Sequence, residues 1–237
     1  MNKPKVNFLL TARGNNSLKD KNLRLLNGLS CISYPAKTAK ESKFSGNYYI
    51  SSEDENILHE VEKFGFQRIQ RPSFLSKADS LHMDVLKHAI QNIEPISDIL
   101  VVLLGNAPVI KKDWLDECID KLIENPKHDS VVPVFKDNDH HPLRSKIIEN
   151  NTLKPYQSSK NISSNRQELP ESFFLCHNFW VIRLKNGKVP SNGDAPWPFL
   201  GKKIMPFMLD NEIPIYDIHS EIDILLLETI LKDLNIS

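Results

Sequence analysis

Glycine is scarce in this 237-residue chain, which has only eight. Phosphate-cradling loops of the P-loop and dinucleotide types need glycines at fixed spacing. Neither GxxxxGKS/T nor GxGxxG occurs, which excludes a Walker-type loop and argues against a nicotinamide enzyme. Cysteine is scarcer still. Cys31, Cys118 and Cys176 lie far apart, with no CxxC pair, so a zinc ribbon and a thioredoxin-type redox site are excluded. An odd number of scattered thiols reads as buried and free in a reducing cytosol. No charge of either sign is in excess, because 30 Lys and Arg face 30 Asp and Glu. A general nucleic-acid binder carries a basic stripe, so no nucleic-acid partner is expected. No stretch approaches the roughly 20 apolar residues that span a bilayer, and the apolar run 6–10 is too short for a signal peptide. The expectation is a cytoplasmic protein with no membrane partner.

What is present is a globular composition, 40% hydrophobic, on a chain long enough to bury a large core without disulfides. Strand-like and helix-like segments alternate. Residues 6–11 form a short, mostly apolar run that reads as a buried strand, and residues 99–104 are six apolar residues in a row, the signature of a central parallel strand covered on both faces. Residues 48–51, 67–70 and 130–135 read as further strands. Ile57, Leu58, Val61 and Phe64 recur at helical spacing and stop at Gly65. Leu81, Val85, Leu86, Ala89, Ile90 and Ile93 mark a second helix, and Trp114, Leu115, Cys118, Ile119, Leu122 and Ile123 a third. Residues 34–43 and the apolar series Ile222 to Leu234 add a first and a last helix. Such alternation predicts the α/β class, a parallel sheet with helices on its faces.

The alternation breaks after Phe135. Residues 136–185 read as an excursion, with strand-like segments at 145–148 and 173–182 flanking a polar stretch. This divides the chain into a core, 1–135 with 186–237, and the excursion 136–185.

Candidate site residues follow from the rule that open α/β sheets bind ligands at the C-terminal ends of their strands. The loop after the first strand runs Ala12-Arg13-Gly14 through Lys21-Asn22. Its hydroxyls, backbone N–H groups and cations suit a polyphosphate; a solvated polar loop is the alternative. Arg71 follows the third strand and faces the same edge, or is a surface arginine. Gly105 and Asn106 follow the buried strand 99–104. They offer close backbone approach and a base- or sugar-reading amide, or form a plain turn. Asp139-His140-His141-Pro142 reads as a turn or interface element, because adjacent histidines do not share a face. Asp217 and His219, two apart on a strand, point the same way. Asp217 could hold Mg²⁺ on phosphate oxygens, or merely start a helix whose N-cap is Ser220 with Asp223.

Several of these segments, taken in order, resemble one family. Ala12-Arg13-Gly14 through Lys21-Asn22-Leu23-Arg24 is similar to an ARxxSKG…KNLR signature. Ser51-Ser52-Glu53-Asp54-Glu55 is similar to an STDDE helix start, and Arg71-Pro72 with Leu75 to RPxxL. Val132, His140-His141-Pro142 and Arg166-Gln167-Glu168-Leu169-Pro170 resemble SVV…HHP…RQxLP. Asp217 through Asp223 resembles DIDTxxD. The family is that of the CMP-sialic acid synthetases, cytidylyltransferases that activate nonulosonic acids.

The resemblance implies a three-layer, Rossmann-like nucleotidyltransferase fold with a mostly parallel sheet and a small dimerisation excursion. It implies a homodimer using CTP, an acidic sugar and a divalent cation, Mg²⁺ or Mn²⁺. Arg13 and Lys21 would hold the triphosphate, and Ala12, Gly14, Asn22, Arg71, His82, Gly105 and Asn106 would surround the nucleotide. Arg144, Arg166, Gln167 and Asn178 would meet the sugar. Asp217 would bind the metal beside His219. The chain departs from the pattern at four places. Its signature loop is one residue shorter. Leu104-Gly105-Asn106-Ala107-Pro108 replaces Gln-Pro-Thr-Ser-Pro. His82 replaces a small hydroxyl residue, and His219 replaces an acid. Alternative readings are a nucleotidyltransferase for another acidic sugar such as Kdo, and a catalytically silent nucleotide-binding scaffold.

Overall fold

The two apolar runs do form the centre of the sheet. In the computed structural model, which describes residues 4–14, 18–157, 162–209, 218 and 220–236, strand β1 (Val6–Thr11) is buried along its whole length. The next elements are two short strands, β2 (Leu25–Leu26) and β3 (Leu29–Ser30), helix α1 (Ser33–Glu41), strand β4 (Gly46–Ser52), helix α2 (Glu55–Glu62) and strand β5 (Gln67–Gln70). Helix α3 (His82–Gln91), strand β6 (Ile99–Leu104), helix α4 (Lys112–Glu124) and strand β7 (Ser130–Lys136) follow. The rest comprises β8 (Lys146–Glu149), β9 (Thr152–Pro155), β10 (Phe173–Leu175), β11 (Phe179–Arg183), β12 (Ile204–Met208) and helix α5 (Glu221–Asp233). The main sheet runs β5-β4-β1-β6-β11-β7-β10, with β12 on the other side of β7. Strands β5, β4, β1 and β6 pair in parallel, as do β7 and β12.

Alternation along the strands builds two cores. Phe8 and Leu10 of β1, with Val101 and Leu103 of β6, pack against α1, α2 and α4 through Ala36, Leu58 and Leu115. Leu9, Leu100 and Val102 face the opposite side, where α3 contributes Leu86 and Ala89 and the chain near 199 contributes Phe199 and Leu200. The result is helices on both faces of a mostly parallel sheet, as expected. Helix α2 is capped by the Asp54 carboxylate, which accepts from Asn56 N at 2.8 Å and Ile57 N at 3.2 Å. The chain after it turns at Gly65, with φ of +75°. Helix α5 packs outside these layers, placing Leu227 and Leu231 on Leu26, Tyr34 and Ile218.

Two features differ from the sequence reading. Residues 173–182, read as one strand of the excursion, are two. Strand β10 pairs antiparallel with the end of β7, and β11 is inserted antiparallel between β6 and β7, in the middle of the main sheet. The register on β7 slips by three residues between Leu175↔Val134 and Val181↔Val131, and residues 176–178 take up the slack. What projects from the sheet is the segment between β7 and β10, which carries the β8–β9 hairpin. Strand β12 was not anticipated, because Ile204-Met205-Pro206-Phe207-Met208 carries a proline in a short run. All three cysteines are buried and outside any disulfide, and burial raises the thiols of Cys118 and Cys176. Among the described residues no helix is long and apolar enough to cross a membrane.

Candidate active site

A cleft of about 420 Å³ opens at the C-terminal ends of the parallel strands. Thr11, Ala12 and Arg13 reach it from β1, Leu104 and Asn106 from β6, and Arg71 from the end of β5. Lys21 and Asn22 enter from a 3-10 turn, and His82 from the first turn of α3. The position follows from the parallel ladder. Ala12 N donates to Ser51 O at 3.2 Å, Gly105 N to Thr11 O at 3.0 Å and Arg71 N to Ser52 O at 2.9 Å, so neighbouring strands end level. Among the described residues the lining holds four cations, Arg13, Lys21, Arg71 and Lys77, and no carboxylate. Such a wall favours a polyanion.

The cations are held in different ways. The Arg13 guanidinium donates from Nη1 to Lys77 O at 3.0 Å, while its carbonyl accepts from Asn22 Nδ2 at 2.8 Å. Lys21 and Asn22 are buried. The Arg71 side chain is 5% exposed, donates from Nη2 to Ser51 O at 3.2 Å and lies 3.4 Å from Glu53 Oε2. Burial lowers its pKa and the Glu53 carboxylate partly offsets this. His82 lies against Trp180 and Phe199, with ring centroids 5.4 and 5.5 Å away. Its Nε2 is 3.4 Å from Thr11 Oγ1. Burial, with Arg71 and His177 nearby, pushes its pKa down to about 4. His82 is therefore a neutral imidazole at neutral pH, one donor and one acceptor on the wall of a cationic cleft.

Of the proposed nucleotide set, Ala12, Arg13, Lys21, Asn22, Arg71, His82 and Asn106 converge on this cleft. Gly14 lines a small adjoining space with Asp20 and Asp54. Its missing side chain makes room for protein, since a Cβ there would meet Asp54 Oδ2 at 2.1 Å. Gly105 is likewise corrected to a packing role. It is buried, and a Cβ would meet Ala12 and Ile32 at 2.9 Å. Thr11, Lys77 and Ser80 also line the cleft and were not singled out. Only the polar end of an apolar strand pointed to Thr11, and nothing local marked the other two.

The proposed sugar set is dispersed. Arg144, Arg166 and Gln167 are exposed on the projecting segment, and none lines the cleft. Arg166 pairs with Asp139, and Gln167 N donates to Asn165 Oδ1 at 3.1 Å. Asn178 is corrected. Its side chain is fully buried, donates from Nδ2 to Val109 O at 3.3 Å and accepts from Phe179 N at 2.9 Å. It secures the bulge before β11 rather than facing a ligand. His141 accepts from Leu143 N at 3.1 Å and His140 meets Asp137 at 2.8 Å, so the histidine pair builds a turn. The metal candidates Asp217 and His219 lie outside the described residues. Among the described residues no group of three or more His, Cys, Asp or Glu could hold a metal ion.

The model of the family described as Cytidylyltransferase matches residues 8–189. A curated relative, the Post-translational flagellin modification protein B of Campylobacter coli, is 23% identical over 236 residues, covering 94% of this chain and 93% of its own. The 3-deoxy-manno-octulosonate cytidylyltransferase of Thermodesulfovibrio yellowstonii is 27% identical over 169 residues, or 68% and 65% of the two chains. Among solved structures, a CMP:2-keto-3-deoxy-manno-octonic acid synthetase complexed with CTP superposes with a TM-score of 0.70 at 15% identity, covering 97% of this chain and 99% of that one. A 4-diphosphocytidyl-2C-methyl-D-erythritol synthase from Anaerococcus prevotii superposes with a TM-score of 0.62 at 14% identity, covering 97% and 96%.

Proposed function

Because the chain belongs to the cytidylyltransferase family, we propose that it transfers CMP from CTP to the anomeric hydroxyl of a nonulosonic acid. The observation that carries this reading is the cleft at the strand ends, where Arg13, Lys21, Arg71 and Lys77 converge. The sugar hydroxyl attacks the α-phosphorus, the bond to the β-phosphate oxygen breaks, and pyrophosphate leaves. Phosphoryl chemistry of this kind depends on positioning and charge neutralisation. Arg13 and Lys21 neutralise the leaving pyrophosphate. Arg71 fixes the nucleotide, and His82 and Asn106 supply neutral hydrogen-bonding groups beside it.

Arg144, Arg166 and Gln167 take the acidic sugar. A guanidinium fork suits its carboxylate. Their distance from the cleft lining fits a homodimer in which the projecting segment completes a partner's site. A divalent cation, Mg²⁺ or Mn²⁺, when bound adds neutralising charge on the triphosphate. Asp217 is its proposed ligand, with His219 as a weaker donor for so hard an ion.

The nine-carbon acid follows from the sequence resemblance to the nonulosonate cytidylyltransferases; the curated relative that covers nearly the whole chain is a flagellin modification protein. The second reading, Kdo as the sugar, is supported by the 3-deoxy-manno-octulosonate cytidylyltransferase matched over 169 residues. Pyrophosphate release from CTP, measured with a panel of nonulosonic acids and Kdo in Mg²⁺ or Mn²⁺, separates them. Release with a nonulosonic acid supports the first reading and release with Kdo alone the second. CTP binding without release for any sugar would support a silent scaffold.

A further inference from the structure

Four of the buried side-chain polar atoms that make no hydrogen bond of good geometry among the described residues belong to Arg71 and its neighbours: Ser51 Oγ, Glu53 Oε2, Arg71 Nε and Ser76 Oγ. Arg71 reaches the Ser51 carbonyl and lies beside Glu53, and Ser76 adjoins the Glu53 carboxylate. Orphaned buried donors and acceptors of this kind call for an explanation. Arg71 lines the cleft with its side chain 5% exposed and one donor unused.

We propose that Glu53 is a positioning residue, which orients Arg71 toward the nucleotide and ties it to the loop after β1. The inference rests on the CTP-dependent reading above. One carboxylate spans two walls of the cleft. Its Oε1 accepts from Gly14 N at 2.8 Å, and its Oε2 faces Arg71 Nη2 at 3.4 Å. The approach of the loop requires glycine, because a Cβ on Gly14 would collide with Asp54 Oδ2. Burial raises the Glu53 carboxyl, but neighbouring donors, the Gly14 N–H and Arg71 among them, hold it below the usual range, so it stays ionised at neutral pH. A buried guanidinium without a counter-charge is costly. Glu53 meets that cost on one side of Arg71 and leaves the cleft's excess of positive charge facing the ligand.

The test is steady-state kinetics and equilibrium CTP binding by Glu53→Gln, Glu53→Asp, Arg71→Ala and the double variant E53Q/R71A. E53Q keeps an acceptor for Gly14 but loses the charge. Its KM for CTP should rise about tenfold, within the range of coupling between contacting residues, while the sugar KM stays within about twofold. Glu53→Asp should recover part of the loss. In the Arg71→Ala background E53Q should add less than about twofold, because groups acting through one another are not additive. An unchanged CTP KM in E53Q would overturn the proposal. So would an equal rise in both KM values, or full additivity with Arg71→Ala. Should E53Q fail to fold, a folded Glu53→Asp with wild-type CTP KM would overturn it. Wild-type protein that binds no CTP would overturn the functional reading and this inference together. Wild-type binding with no effect at Glu53 would overturn the positioning role alone.

Discussion

Lys21 and Arg71 are 8% and 6% exposed and sit where parallel strands end level, whereas Arg166 is 56% exposed on a segment that projects from the sheet. The first pair is fixed by backbone ladders, a 3-10 turn and a buried carboxylate. The second region carries exposed apolar side chains, Ile148, Leu153, Tyr156 and Phe173, and no arginine there reaches the cleft. The contrast teaches that the ends of the sheet gather cations in one cleft, whereas the arginines proposed for the sugar lie away from it. Charge buried in a sheet mouth is organised before ligand arrives, and charge on an exposed hairpin region is not.

The sharpest way to break this contrast is Lys21→Ala. The expected outcome is a loss of at least about a hundredfold in kcat/KM, with Tm changed by only a few degrees. Near-wild-type turnover would remove Lys21 from the triphosphate site. Asp217→Asn probes the proposed metal ligand. The Mg²⁺ concentration for half-maximal rate should rise about tenfold or more, since a carboxylate is the preferred hard donor, and an unchanged titration would exclude it. Arg166→Ala tests the exposed region. It should raise the sugar KM about tenfold and leave the CTP KM and Tm unchanged; a matched rise in the CTP KM would erase the division.

The smallest expected effect is at His82. With its pKa depressed to about 4, the folded state stays neutral while the unfolded state protonates near 6.5. His82 then contributes stability that is complete above about pH 6.5 and is lost as pH falls toward 4. The Tm of His82→Gln should therefore fall less over that window than the wild-type Tm; parallel curves would contradict the assignment.

The sheet was largely legible because β1 is mostly and β6 wholly apolar, and α2, α3 and α4 show clear helical spacing. The place of β11 was not. Phe173 to Ile182 reads as one continuous strand, and nothing local says that the chain bulges at residues 176–178 and returns between β6 and β7. Composition also drew the cationic cleft, because Arg13, Lys21 and Arg71 follow strands. Gly105, read from its place after β6, and Asn178, implied by the resemblance, have packing and backbone hydrogen-bond partners that only the fold reveals. Glu53 carried no signal beyond its place at a helix start, since its pairing with Gly14 and Arg71 joins segments 39 and 18 residues apart.

The most direct measurement is to incubate the protein with all four nucleoside triphosphates and a panel of acidic sugars, and to identify the product by mass. The expected result is a CMP ester of a nonulosonic acid, formed with one pyrophosphate per ester and with CTP strongly preferred. An ester of another nucleotide, or CTP consumed without any sugar ester, would contradict it.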